Sequence, residues 1–194
     1  MVFVARPNGP RGLVPAKASS GAAQRSNQYQ ISGTGSDKFY TGQPLLIVDT
    51  GLLSILTAVT DKIVGVFSGV EYVAANGDII FKPYWDAPGV VQTGSQVRAT
   101  VYDDPFGIFS IYANADLTLD EVSGYYDFTT VAGTGGSTVT GISSLGLDVS
   151  SENSSPGNQQ MVLRGFDVQK GRPGDLRTAL VSFTETEYAA IIGA

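Results

Sequence analysis

The chain has 194 residues, enough for one domain with its own core, and contains neither cysteine nor histidine. This excludes disulfides, thiolate metal sites, cysteine or histidine nucleophiles, and the one side chain that ordinarily titrates near neutrality. Only 15% of residues are charged, and the net charge of −6 is unevenly spread: residues 1–36 carry Arg6, Arg11, Lys17 and Arg25 with no acid, whereas the remainder holds all 18 acids against eight bases.

In chain order, Met1 to Val4 reads as a short apolar strand. Arg6 to Pro15 then sets three prolines and two glycines in ten residues, which is incompatible with a helix. Ala16 to Arg25 is small and polar. A basic stretch this rich in Gly, Pro, Ser and Ala cannot bury enough apolar surface to fold alone. Residues 1–28 are therefore expected to form an extended arm that orders on a partner, with Met1 to Arg25 removable without unfolding the body. The body, residues 29–194, starts where Tyr29 and Ile31 alternate with Gln28 and Gln30. Four charges without interleaved aromatics make a weak footprint for nucleic acid, so a protein neighbour or the acidic body is the expected receiver.

Leu45 to Val48 reads as a strand buried on both sides, while Leu52 to Thr60 suits a helix or a strand equally. Ile63 to Phe67 and Val70 to Val73 read as two strands separated by Ser68-Gly69. Asn76-Gly77, between Val73 and Ile79, is a hairpin signal of type I′. Val97 to Tyr102 and Ile108 to Ala113 alternate with period two across Asp103-Asp104-Pro105-Phe106-Gly107, a hairpin or a sharp sheet corner. Gly133 to Thr138 lacks the lysine of a phosphate loop and reads as a flexible or bulged connection. Further short strands follow at Leu145 to Val149, Met161 to Phe166 and Thr178 to Thr184, and Tyr188, Ile191 and Ile192 have helix-like spacing. Some ten short strands without a long helix indicate an all-β fold, a single barrel or jelly-roll-like sandwich with an extended N-terminal arm.

The adjacent acids Asp103-Asp104 and Asp120-Glu121 are the candidates for a carboxylate pair of the glycosidase type or for a calcium site, against plain turn roles. No calcium-loop register is present, and no metal or other cofactor is expected. Tyr84-Trp85 and Tyr125-Tyr126 could stack on sugar rings or pack inside. No run is apolar enough for a membrane-spanning helix, and the N-terminus lacks a signal-peptide core, so a cytoplasmic origin without membrane contact is expected.

Read in order, Arg11-Gly-Leu-Val-Pro-Ala-Lys17, Phe39-Tyr-Thr-Gly-Gln-Pro-Leu45, Ile63 to Tyr72, Val101-Tyr-Asp-Asp-Pro105, Met161 to Asp167 and Leu180-Val-Ser-Phe183 resemble the small decoration, or cement, proteins of tailed-bacteriophage capsids. The resemblance departs at Arg11, where those proteins carry an aromatic residue. It implies a non-enzymatic β-rich virion protein. Such a protein is made in the bacterial host cytoplasm and bound to the outer capsid surface, with the major capsid protein as partner and a small homo-oligomer, dimer or trimer, as working form. Partner contact is then expected from Arg6, Arg11, Leu13, Lys17 and Arg25 in the arm and from Tyr84, Trp85 and Phe106 in the body. The alternative is a tail or fibre component that binds carbohydrate through its paired aromatics.

Overall fold

The computed structural model describes residues 11–17, 21, 23–86, 90–130, 135–155, 157–167, 178–184 and 186. The expected strand at Met1 to Val4 and the helix-like spacing at Tyr188 to Ile192 lie outside them. Sixteen strands occur among the described residues, and no α-helix. They are β1 (Val14–Lys17), β2 (Ser26–Ile31), β3 (Phe39–Tyr40), β4 (Pro44–Ile47), β5 (Leu53–Ile55), β6 (Gly65–Val73), β7 (Ile79–Lys82) and β8 (Tyr84–Trp85) in the first half. In the second half come β9 (Val97–Tyr102), β10 (Ile108–Tyr112), β11 (Tyr125–Phe128), β12 (Gly136–Ser137), β13 (Ile142–Ser143), β14 (Leu147–Asn153), β15 (Met161–Phe166) and β16 (Thr178–Phe183).

Five of these strands close a barrel in the order β4-β5-β2-β9-β6, with β4 returning to pair with β6 and β7 added outside β6. Only β2 and β5 run parallel. Inward-facing Val97, Ala99 and Val101 of β9 meet Phe67, Val70, Leu45 and Trp85 in the barrel core, while Arg98 and Thr100 face outward. The barrel closes at Gly65 for a steric reason: a Cβ there would fall 2.3 Å from the Tyr102 carbonyl oxygen. A second six-stranded sheet, in the order β1-β10-β16-β15-β11-β14, covers a separate core built around Phe109, Ile111, Tyr126, Leu147, Met161 and Val181.

The all-β architecture is as the strand spacing indicates, barrel closure is a finding of the structure, and several local expectations resolve. Residues 97–113 form a corner and not a hairpin, because β9 pairs with β2 and β6 whereas β10 pairs with β1 and β16. This corner carries the chain from the barrel into the second sheet. Leu53 to Ile55 is a strand, since its residues ladder with β4. The supposed break at Ser68-Gly69 is a bulge inside a single strand, β6. The hairpin at Asn76-Gly77 is present, but the turn is of another type. Gly77 N–H bonds the Ala74 carbonyl at 2.8 Å and only Gly77 has positive φ, so the loop is a three-residue turn closed by a glycine bulge.

The arm boundary at residue 28 requires correction. β1 pairs with β10, β2 begins at Ser26, and Leu13 is only 1% exposed within the second core. Residues 14–17 and 26–28 thus belong to the sheets and Leu13 to the core, which argues against the expectation that Met1 to Arg25 could be removed without unfolding the body. A single leucine between glycine and valine is enough to anchor a strand when a sheet edge is available to receive it.

Candidate partner-binding surface

The corner between β9 and β10 gathers three of the residues expected to contact a partner: Lys17, Arg25 and Phe106. Its centre is Asp103, buried although charged. Arg25 Nε donates to Asp103 Oδ1 at 2.9 Å, and Asn27 Nδ2 and Tyr29 OH donate to Oδ2 at 2.7 and 2.6 Å. A further Arg25 nitrogen donates to the Asp103 carbonyl at 3.0 Å. Burial acts to raise the Asp103 pKa, but the bonds from Tyr29, Asn27 and Arg25, with the guanidinium charge, outweigh it and hold the carboxyl below its ordinary value. The carboxylate is a clasp: it binds the N-terminal segment to the corner.

Beside the clasp, Gln24 Nε2 bridges the carbonyls of Lys17 and Ile108 at 3.0 and 2.6 Å, tying β1, the following segment and β10 together. Asp104 caps the turn by accepting from Phe106 N–H at 3.0 Å, and Gly107 N–H closes it onto the Asp104 carbonyl, also at 3.0 Å. Gly107 does not use positive φ, contrary to the usual reason for a turn glycine. It lies close against the Phe109 ring and the Asp104 carbonyl instead. The turn presents Phe106 to solvent at 58% exposure, with the side chain of Lys17 exposed on β1. A hydrogen-bonded turn therefore displays one large apolar side chain two residues before Ile108, the strand partner of Lys17.

The other expected contact residues are elsewhere. Arg6 lies outside the described residues. Arg11 is exposed, but its neighbour Leu13 is core and has no surface to offer. Tyr84 and Trp85 form β8, which pairs with β3. Trp85 is 2% exposed and packs edge-on to Tyr72 at 5.3 Å, so its assignment to partner contact is corrected to a core role. Tyr84 stacks on Tyr40 at 6.4 Å, with the Lys82 ammonium 5.4 Å from its ring centroid. The short hairpin β12–β13 lies across this pair, so close that a Cβ at Gly136 would fall 2.3 Å from Tyr40 Cγ. That packing is the role of Gly136 in the glycine-rich stretch, and Val139 at the hairpin tip is 94% exposed. Tyr126 is fully buried. Two of the four aromatics proposed for sugar stacking therefore have no accessible face.

The acid pairs are occupied by local structure. Glu121 closes the short 3-10 turn Leu119–Glu121 by accepting from both the backbone and the hydroxyl of Thr118. Among the described residues no three His, Cys, Asp or Glu side chains gather as a metal site requires. One carboxylate pair was invisible in the sequence because its members are distant along the chain: Asp127 of β11 stands opposite Asp148 of β14. Burial and the Asp148 charge raise the Asp127 pKa. The Asp148 pKa is lowered because hydrogen bonds from Ser150 and Asn114 overcome its partial burial. Also missed were Ile79 and Phe81 on β7, at 62% and 73% exposure. Their two-residue spacing on a strand following a turn was the available signal. Beside them a groove of about 350 Å³ is lined by Glu71, Tyr72, Val73, Ile79, Ser95, Gln96 and Arg98 on the outside of the barrel.

Comparison with protein-family models, curated proteins and solved structures returned no match.

Proposed function

We propose that the protein is a non-enzymatic part of a phage virion that binds the outer surface of the capsid and stabilises it by bridging major capsid protein subunits. The ordered series of short motifs from Arg11 to Phe183 supports this reading. The observation that carries it is the corner: a basic N-terminal segment clasped to an acidic body beside an exposed Phe106.

In this reading the two cores supply a rigid plug. β1 is the outermost strand of its sheet and pairs only with β10 among the described strands, so its open edge can meet a neighbouring subunit by strand addition. Phe106 would act as an apolar anchor, a role in which truncation commonly costs about 2 kcal/mol of binding. Each contact can be small, because an ordered shell presents many sites and simultaneous engagement raises the effective concentration.

Cosedimentation with undecorated capsids from the same source tests the proposal. Saturable binding is expected, weakened by Phe106→Ser and by deletion of residues 1–10, both of which leave the clasp intact. Absence of binding by the intact, folded chain would overturn it.

A further inference from the structure

We infer that the protein self-associates into a two-fold symmetric dimer by pairing β7 with β7 of a second copy. The inference is independent of the capsid reading and rests on the segment Asp78-Ile79-Ile80-Phe81-Lys82.

Among the described strands β7 pairs with β6 alone, along one of its sides. Ala74 N–H donates to the Asp78 carbonyl at 2.8 Å, and the ladder continues as Val73 opposite Ile79, Tyr72 opposite Ile80, Glu71 opposite Phe81 and Val70 opposite Lys82. Backbone groups along an antiparallel strand point alternately to either side. With Asp78, Ile80 and Lys82 turned toward β6, the N–H and C=O groups of Ile79 and Phe81 point outward. No strand among the described residues pairs with them there. The side chains of these two residues are also the most exposed apolar groups of the barrel strands. An edge with outward hydrogen-bonding groups and outward apolar side chains is a template for another strand.

The occupant follows from the order of the five residues. In an antiparallel pair centred on Ile80, Ile79 faces Phe81 of the second copy and Phe81 faces its Ile79, so all four outward backbone groups of each copy are satisfied. Each exposed aliphatic side chain then packs beside an exposed aromatic one. In the same register Asp78 faces Lys82 of the second copy at both ends. A shift of two residues in one direction sets Phe81 against Gly77, whose N–H is already used in the turn. A shift in the other sets Ile79 against Pro83, which has no N–H. The segment is thus complementary to itself in one register, as an isologous interface requires. Lys82 ordinarily protects such an edge from indiscriminate pairing, and a partner with a carboxylate at the facing position removes that obstacle. Ile80, half-buried against the barrel core, meets its own copy on the symmetry axis.

A contact of five residues from each copy lies in the weak class below about 1,200 Å², so association should be read by sedimentation equilibrium of the full chain from micromolar to submillimolar concentration. The wild-type protein is expected to form a concentration-dependent dimer. Asp78→Lys and Lys82→Asp should each weaken it at least about tenfold, because each variant sets like charges against each other at both ends. An equimolar mixture of the two variants should recover wild-type association, since every facing pair is then opposite in charge. Phe81→Ser, at an exposed site that leaves both cores untouched, should also weaken the dimer. A wild-type chain monomeric throughout the range, a dimer indifferent to the charge reversals and to Phe81→Ser, or a mixture that fails to associate while both variants keep the wild-type circular dichroism spectrum would overturn the inference.

Discussion

Asp103→Asn is the sharpest perturbation of the clasp. The asparagine keeps the shape but offers one acceptor oxygen where two stood, and its amide N–H groups face at least one of the donors Arg25, Asn27 and Tyr29. Hydrogen bonds to a charged group contribute about 1.5–3 kcal/mol each, and a buried donor left without an acceptor costs a comparable amount. Arg25 recovers much of its share by turning to solvent, because its side chain is 53% exposed in the ion pair. The net loss is about 3 kcal/mol, counted from the Tyr29 and Asn27 bonds to Oδ2. At about 2–4 °C per kcal/mol for a chain of this size, the melting temperature at pH 7 should fall by about 6–12 °C.

The same variant carries a pH signature. The folded-state pKa of Asp103 lies below the unfolded value, so its contribution is fully present above the unfolded carboxylate pKa and is lost as pH falls through the folded one. The gap between wild type and variant should therefore be widest near neutrality and close as the buffer is acidified below the ordinary aspartate range. Calorimetric melting of both proteins across that range is the assay. An unchanged melting temperature at pH 7, or a gap that persists undiminished in acid, would refute the assignment of Asp103 as a charged clasp.

Tyr126→Phe removes a buried hydroxyl that has no hydrogen-bond partner among the described residues, so the variant should be as stable as wild type or more so in denaturant titration. The Tyr126 pKa is raised by burial and by the charges of Glu152, Glu121 and Asp120, so wild-type stability should decline in alkali above the ordinary tyrosine range and the variant should show a smaller decline. Asp127→Asn should raise the melting temperature at neutral pH, because the folded-state pKa of Asp127 is raised and its ionised form is disfavoured. That gain should vanish as pH falls below the ordinary aspartate pKa, and a loss of stability at neutrality would contradict it. Gly65→Ala should destabilise by about 3 kcal/mol or more through backbone displacement at the barrel seam, read as a shifted denaturation midpoint with the slope retained.

Legibility varied with the range of the interaction that decides each feature. The alternation of Val97, Ala99 and Val101 and the chain reversal at Asn76-Gly77 are local, and both were readable, although the type of that turn was not. Which sheet each arm of the corner joins depends on partners far away, β2 and β6 for β9 and β1 and β16 for β10, and nothing in residues 97–113 encodes that choice. Leu13 looked like part of an unfolded arm because proline and glycine surround it, yet its burial is decided by a cavity that other strands build. Tyr84-Trp85 would serve a core or a surface equally well, and only packing against Tyr40 and Tyr72 separates the two. Ser68-Gly69 has the composition of a turn, and a bulge uses the same freedom without reversing the chain. At the corner, the sequence marked Phe106, Arg25 and the acid pair Asp103-Asp104, but not that Asp103 joins Arg25 to the body.

The clasp also has a consequence for synthesis. Arg25 leaves the ribosome 78 residues before Asp103, and Val14 precedes its partner Ser110 by 96. At roughly 5–20 residues per second, the first strands wait about 4–19 s for the residues that complete their hydrogen bonds. A partnerless strand with strong β character would aggregate in that interval. β2 spells Ser-Asn-Gln-Tyr-Gln-Ile, polar at nearly every position and followed by no acid until Asp37, so the emerging segment is uniformly basic and self-repelling. The polarity and charge that set residues 1–28 apart as an extended arm are thus what keep the segment available until the corner arrives to claim it.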